Sequence, residues 1–288
     1  MYLVDVYLLF PLLFLFGAAW GSFLGAAAYR IPRRLSLVKP RSHCTSCRRQ
    51  LQPLDLIPVF SFFIRRGRCA YCGNPLSWRY PLVEAAAGLL AVVVFLRYGL
   101  SWLFAVYIIM AYWALLLATI DIEHQRLPDV LTLPGILVGF LFNIILYLQS
   151  GVVHVTARMS VAPTWHLSWL GNSGSSVFWP GWEVCAPVFS PWHSLLGIVV
   201  GGGILTLIAS AARGGMGWGD VKYLAAVGAF IGPGAAGLVL FLGALIGSLV
   251  GIAMMLLGRV NRRQPIPFGP FLTAALILLI IFGPYAAA

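Results

Sequence analysis

The sequence predicts an all-α polytopic membrane protein of about eight transmembrane helices, interrupted early by one polar cytoplasmic insert. Three observations predict it. The 288 residues are 60% hydrophobic and only 9% charged, where a soluble domain carries about 25% charged residues. The apolar residues gather into runs near the roughly 20 residues that cross a bilayer as a helix. The basic residues fall between those runs in an alternating pattern, as orientation in a membrane requires.

The spans are expected at 3–27, 81–98, 101–119, 130–149, 194–212, 221–233, 235–257 and 267–285, the sixth being short and glycine-rich. The first is read as retained. Its start is acidic (Asp5), and its basic residues, Arg30, Arg33 and Arg34, follow the apolar stretch instead of preceding it as in a signal peptide. A turn at Gly232-Pro233-Gly234 is expected to separate the sixth span from the seventh. With the N-terminus outside, the cytoplasmic parts are 28–80 and the regions around 120–129, 213–222 and 258–266. All of the 19 Lys and Arg except Arg97 and Arg158 lie there. The net charge of +11 is therefore an orientation signal and not a nucleic-acid footprint. The resulting divisions are 1–29 (first helix), 30–80 (insert), 81–149 (helices two to four), 150–193 (periplasmic loop) and 194–288 (helices five to eight). The 150–193 loop holds five tryptophans suited to an interface, and no chemistry is read in it.

The insert carries Cys44-x2-Cys47 and, 21 residues on, Cys69-x2-Cys72. Two such pairs turn four thiolates toward one point, the ligand set of a closed, structural zinc site. A cytoplasmic segment disfavours disulfides, and so small an insert would draw much of its folding energy from the metal. The insert is thus read as zinc-ribbon-like. His43 is read as an exposed neighbour of the tetrad, and Cys185 as a lone cysteine of the external loop.

The chain has only eight acids. Asp5, Asp55 and Glu183 are read as solvated charges. Asp121 ends the third apolar run, in DIEHQRLPDVLTLP (121–134), and Asp220 begins the sixth, in GMGWGDVK (215–222). Both fall at the cytoplasmic edge on separate helices. An aspartyl protease needs two carboxylates close enough to share a proton, so that one acts as acid while the other acts as base. Asp121 is preferred to Glu123, which faces elsewhere on a continuing helix, and to Asp129, placed to cap the fourth span. The alternative at this point is that Asp121 and Asp220 merely pair with Arg126 and Lys222. Glu84, inside an apolar run, is read as structural and paired. The glycines around Asp220 are read as letting a substrate backbone approach it.

These motifs converge. GSFLGAAAYRIP (21–32), DLIPVFSFFIRRGRCAYC (55–72), RYPLVE (79–84), DIEHQRLPDVLTLP, GMGWGDVK and PFGP (267–270) together resemble the bacterial type IV prepilin peptidases. The resemblance implies an inner-membrane aspartyl protease of the GxGD type, with Asp121 and Asp220 catalytic and Gly217-Trp218-Gly219-Asp220 supplying the motif. It implies prepilin or pseudopilin substrates cut after glycine on the cytoplasmic side, with the lipid bilayer as the other partner. The tetrad and its insert are typical of members that then methylate the new N-terminus with S-adenosylmethionine. The chain departs from the family pattern at Gly25-Ala26-Ala27-Ala28 and at Leu56-Ile57-Pro58. Two other classes are weighed against this. An ion-coupled transporter would place its acids near the midplane of repeated halves. A presenilin-like GxGD protease would have no use for the cysteine tetrad.

Overall fold

A computed structural model describes residues 2–39, 41–44, 46–152, 190–211, 217–259 and 266–283. Residues 153–189 of the expected periplasmic loop, with Cys185, residues 260–265 of the 258–266 loop and residues 212–216 lie outside the described residues. The long elements are helices: α1 (Tyr2–Arg30), the short α2 (Phe60–Ile64) within the insert, α3 (Arg79–Tyr98), α4 (Trp102–His124), α5 (Asp129–Val152), α6 (Pro191–Ala211), α7 (Trp218–Leu256) and α8 (Gly269–Phe282). Six of them are long and apolar enough to cross a membrane, and α8 is a shorter apolar helix. Their outward faces carry Leu12, Phe16, Leu89, Ile109, Leu137 and Leu207, all exposed, as lipid-facing surfaces require.

Small residues let the helices meet closely, the usual seam where packing and not hydrophobic exclusion joins helices. Gly17 and Gly21 of α1 lie against Ala87 and Glu84 of α3, and Gly197 of α6 lies against Gly228 of α7. The central core is α4, α7 and α8, with Leu117, Ile120, Tyr223, Leu224, Leu272 and Leu276 fully enclosed.

Helix α7 is 39 residues long, with one non-helical residue inside it, Gly232 (φ 84°, ψ 178°). Straight, it would run roughly 58 Å. It does not. Gly251 lies against Ile266, just before α8, and the first residue of α8 touches Asp121. Asp121 in turn is within electrostatic reach of Asp220, at the opposite end of α7. Both ends of α7 therefore lie at the same side, and the chain reverses at Gly232. The expected sixth and seventh spans correspond to these two legs, 218–231 and 233–256, which makes eight long apolar helical segments among the described residues. Only glycine adopts this positive φ with ease, and Pro233 removes the N–H that would bond the Ala229 carbonyl. Ser194 Oγ and Asn143 Nδ2 take over, each donating to that carbonyl at 2.8 Å.

Candidate active site and metal centre

Asp121 lies one turn inside the end of α4, and Asp220 lies in the first turn of α7. Their relative exposures are 5% and 8%. The structure thus buries both expected residues, with Asp220 within electrostatic reach of Asp121. The ion-pair alternative fails. Lys222 Nζ bonds Asp129 Oδ1 at 2.6 Å instead, and Asp121 meets a backbone amide, not Arg126. Asp129 is the first residue of α5, and its carboxylate joins that helix to α7. Glu123 turns away from the dyad, as expected, and forms an ion pair with Arg79. His124 Nε2 lies 3.3 Å from Arg33 Nη1.

The amide that meets Asp121 belongs to Gly269, whose N–H donates to Oδ2 at 2.9 Å. Gly269 opens α8, so Asp121 sits at a helix N-terminus, where amides are unsatisfied and the dipole favours negative charge. A Cβ at residue 269 would stand 2.8 Å from that oxygen. In the sequence, PFGP (267–270) carries no role of its own in the expected site. The signal was present: glycine followed by Pro270 is a helix start.

Gly219 has a role different from the expected one. A Cβ there would lie 2.7 Å from Leu127 Cβ, so this glycine admits the chain's own segment leading out of α4. Gly217 is more open, with Asp220 Oδ2 the nearest atom at 3.6 Å from an added Cβ. Behind the dyad, Trp113 stacks on Tyr223 (5.2 Å, 9°). Tyr223 Oη lies 3.1 Å from Thr273 Oγ1, which itself donates to the Ala114 carbonyl at 3.1 Å. Helices α4, α7 and α8 are thereby fixed in register around the two carboxylates.

In the insert, one sulfur from each of Cys44, Cys47, Cys69 and Cys72 lies within 4.8 Å of the others. Cys44 and Cys72 are 3.9 Å apart, and a tetrahedral zinc with bonds of about 2.3 Å spaces its sulfurs by about 3.8 Å. The donor set fits the metal. The two halves are built alike. Cys44 N–H donates to the Arg49 carbonyl and Arg48 N–H to the Cys44 carbonyl. Cys69 N–H donates to Asn74 and Gly73 N–H to Cys69, all between 2.9 and 3.0 Å. Arg48 and Gly73 both take positive φ at the fourth position after the first cysteine. The Cys47 amide above all, aided by Ser46 and the neighbouring thiols, pulls Cys44 down to about 6 against its burial. At Cys72 the Asn74 amide favours the thiolate, yet burial and the three other cysteines push it up to about 11. Protons shared unequally among four sulfurs are what a divalent cation displaces. His43 is exposed, as expected, and its Nδ1 is bound to the Arg41 carbonyl.

Two acids differ from their sequence reading. Asp55 is no solvated charge: its side chain is 4% exposed and pairs with Arg65. It also accepts from Tyr71 Oη at 2.9 Å and from Gln52 N at 3.1 Å. Burial opposes ionisation, but the Gln52 amide, the Tyr71 hydroxyl and Arg65 outweigh it and hold the carboxyl below the usual range. The Gln52 contact is a local capping box, three residues away, whereas Arg65 and Tyr71 come from further along the insert, which sequence spacing alone cannot reveal. Glu84 is structural, as expected, but its partner is no base. It accepts from the Val59 amide at 2.7 Å and from Ser22, joining the insert to α3 and α1. Val59 has φ 62° and ψ −55°, with Phe60 N bonded to the Pro58 carbonyl at 2.6 Å. This is a γ-turn with positive φ, rare and strained.

Comparison with known proteins places the chain in a family. Residues 15–98 match the family model described as the bacterial peptidase A24 N-terminal domain. Residues 108–172 and 167–252, which include both aspartates, match the type IV leader peptidase family. The prepilin leader peptidase/N-methyltransferase of Bacillus subtilis is 32% identical, covering 94% of each chain. The protein of that name from Aeromonas hydrophila is 31% identical over 96% of this chain and 92% of its own. That from Pseudomonas aeruginosa is 29% identical over 93% and 89%. No solved structure matches. Matched in both halves and alike over nearly its full length to such relatives, the chain belongs to the type IV leader peptidase family.

Proposed function

We propose that the chain is a bifunctional membrane enzyme acting on type IV prepilins or pseudopilins. As an aspartyl endopeptidase it removes the basic leader after glycine, at the cytoplasmic side of the inner membrane. It then methylates the new N-terminal residue, with S-adenosylmethionine as the methyl donor. The observation that carries the reading is the meeting of Asp121 and Asp220, buried together with no cation paired to either among the described residues.

Like carboxylates in a dry cleft share one proton. The Gly269 N–H bound to Asp121 suits its charged form, so Asp121 is the base that takes a proton from the attacking water. Asp220 holds the shared proton and gives it to the scissile carbonyl, and the pair then protonates the leaving amine. One oxygen of Asp121 is held by Gly269 and the other remains for water. The Cys44, Cys47, Cys69 and Cys72 set holds a zinc ion whose chemistry is structural, since four thiolates leave no open position. Through Glu84 the insert is fixed to α3, and the Arg79–Glu123 pair joins the start of α3 to α4, the helix that carries Asp121.

The direct test incubates purified enzyme with a type IV prepilin, with and without S-adenosylmethionine, and determines the mass and sequence of the new N-terminus. Cleavage after the leader glycine supports the peptidase, and a further 14 Da (a methyl replacing hydrogen, roughly, by mass) supports the methyltransferase. An intact prepilin under both conditions overturns the reading.

A further inference from the structure

Part of the insert is apolar where a water-facing surface would be polar. Phe60, Phe63 and Ile64 of α2 are exposed, Ile64 at 77%, while Phe62 alone of that helix is buried. Trp78, also exposed, packs its ring against Phe62 and Phe63, with centroids 4.9 and 6.1 Å away. Trp78 immediately precedes Arg79, the first residue of the membrane-crossing α3. The patch therefore lies at the level where a bilayer begins, the depth that indole prefers.

Next to the patch is a cavity of about 470 Å³ lined by Phe62, Phe63, Arg66, Arg68, Leu76 and Trp78, among others. No lining residue is acidic. Arg65 is engaged by Asp55, but Arg66 and Arg68 have no ion-pair partner among the described residues. Two arginines in a lining otherwise largely aromatic and apolar repel a cationic occupant and suit a phosphate, which Arg grips in bidentate fashion. Acyl chains would continue onto Phe60, Phe63 and Ile64.

We propose that this cavity holds the headgroup of an anionic phospholipid, and that α2 with Trp78 lies in the adjoining leaflet. The insert is thus anchored to the lipid surface as well as to α3. The occupant follows from charge complementarity and from continuity with the membrane-crossing surface of α3.

The test uses the full-length, zinc-loaded protein and does not depend on turnover. Native mass spectrometry of detergent-solubilised protein, titrated with phosphatidylglycerol or phosphatidylcholine, reads retained lipid. The Arg66→Gln/Arg68→Gln variant is expected to bind its tightest phosphatidylglycerol roughly thirtyfold more weakly, at about tenfold or less for each basic residue. The Arg66→Lys/Arg68→Lys variant keeps most of the affinity. Equal retention by wild type and the glutamine variant overturns the proposal, as does displacement of the lipid by equimolar inorganic phosphate. A second measurement covers a misfolded variant. In nanodiscs containing brominated lipid, the fluorescence lost on Trp78→Phe is expected to be quenched in the wild type. An unquenched Trp78 contribution places the patch in water and overturns the anchoring.

Discussion

Gly269 and Asp121, 148 positions apart in the sequence, are joined by one N–H···O bond of 2.9 Å. A carboxylate at the end of one helix is thus oriented by the first amide of another. Replacement of Gly269 by alanine puts a methyl group 2.8 Å from Asp121 Oδ2, so the carboxylate must move. Gly269→Ala is expected to lower kcat for leader cleavage about a hundredfold with KM changed only a few-fold, since small misplacements cost that much. Initial rates on a purified prepilin check this.

Asp121→Asn and Asp220→Asn are each expected to abolish leader cleavage while the protein inserts and retains zinc. The same variants should still methylate a precleaved pilin. Cleavage at more than about a thousandth of the wild-type rate by either variant would contradict a shared-proton dyad.

Val59 is held in its strained turn by Glu84. Glu84→Ala leaves the Val59 N–H without its acceptor, at a cost of about 1–3 kcal/mol. Limited proteolysis of the insert in membranes should then be about tenfold faster. Glu84→Gln, whose amide oxygen accepts the same bond, should fall between the two. Val59→Gly relieves strain of order 1 kcal/mol and is expected to slow the same cleavage.

The Tyr71–Asp55 bond carries a pH dependence. The hydrogen bond to Asp55, with burial and the Asp55 charge adding to it, raises the Tyr71 hydroxyl above its ordinary value of 10.0. A group whose folded value is raised contributes stability that is complete below the unfolded value and is lost as pH rises through the folded one. The insert is therefore expected to loosen above pH 10, as Tyr71 ionises beside Asp55. Zinc release measured against pH should show an alkaline step in the wild type that is absent from Tyr71→Phe.

One zinc per chain is expected on purification. Cys69→Ser is expected to lower metal content by at least tenfold and to increase protease cutting within 30–80, as it should if metal supplies folding energy to the insert.

Much of this architecture is legible in the sequence because membrane spans, CxxC spacing and charge asymmetry are local signals. The eight runs fall within a few residues of the observed helices, and the turn at Gly232 follows from Gly-Pro chemistry. Asp121 and Asp220 stand out because acids are scarce. The contacts between distant stretches are not legible. Gly269 reads as a helix start, but only folding reveals that its amide meets Asp121. Asp55 reads as solvated because Arg65 and Tyr71 become its neighbours only once the insert folds. Lys222 stands two residues from Asp220 in sequence yet reaches Asp129, because residues two apart on a helix point to opposite faces.

The Ala229 carbonyl has consequences for biogenesis. Pro233 denies it a donor, and its substitutes, Asn143 and Ser194, sit on α5 and α6. Both helices leave the ribosome before α7. When the two legs of α7 enter the bilayer as a helical hairpin, the donors for its exposed tip are already in place. A chain permuted so that α7 preceded α5 and α6 would present a bare carbonyl to lipid, at several kcal/mol by order of magnitude, until those helices arrived. Helix order along the gene is thus matched to the chemistry of one peptide group.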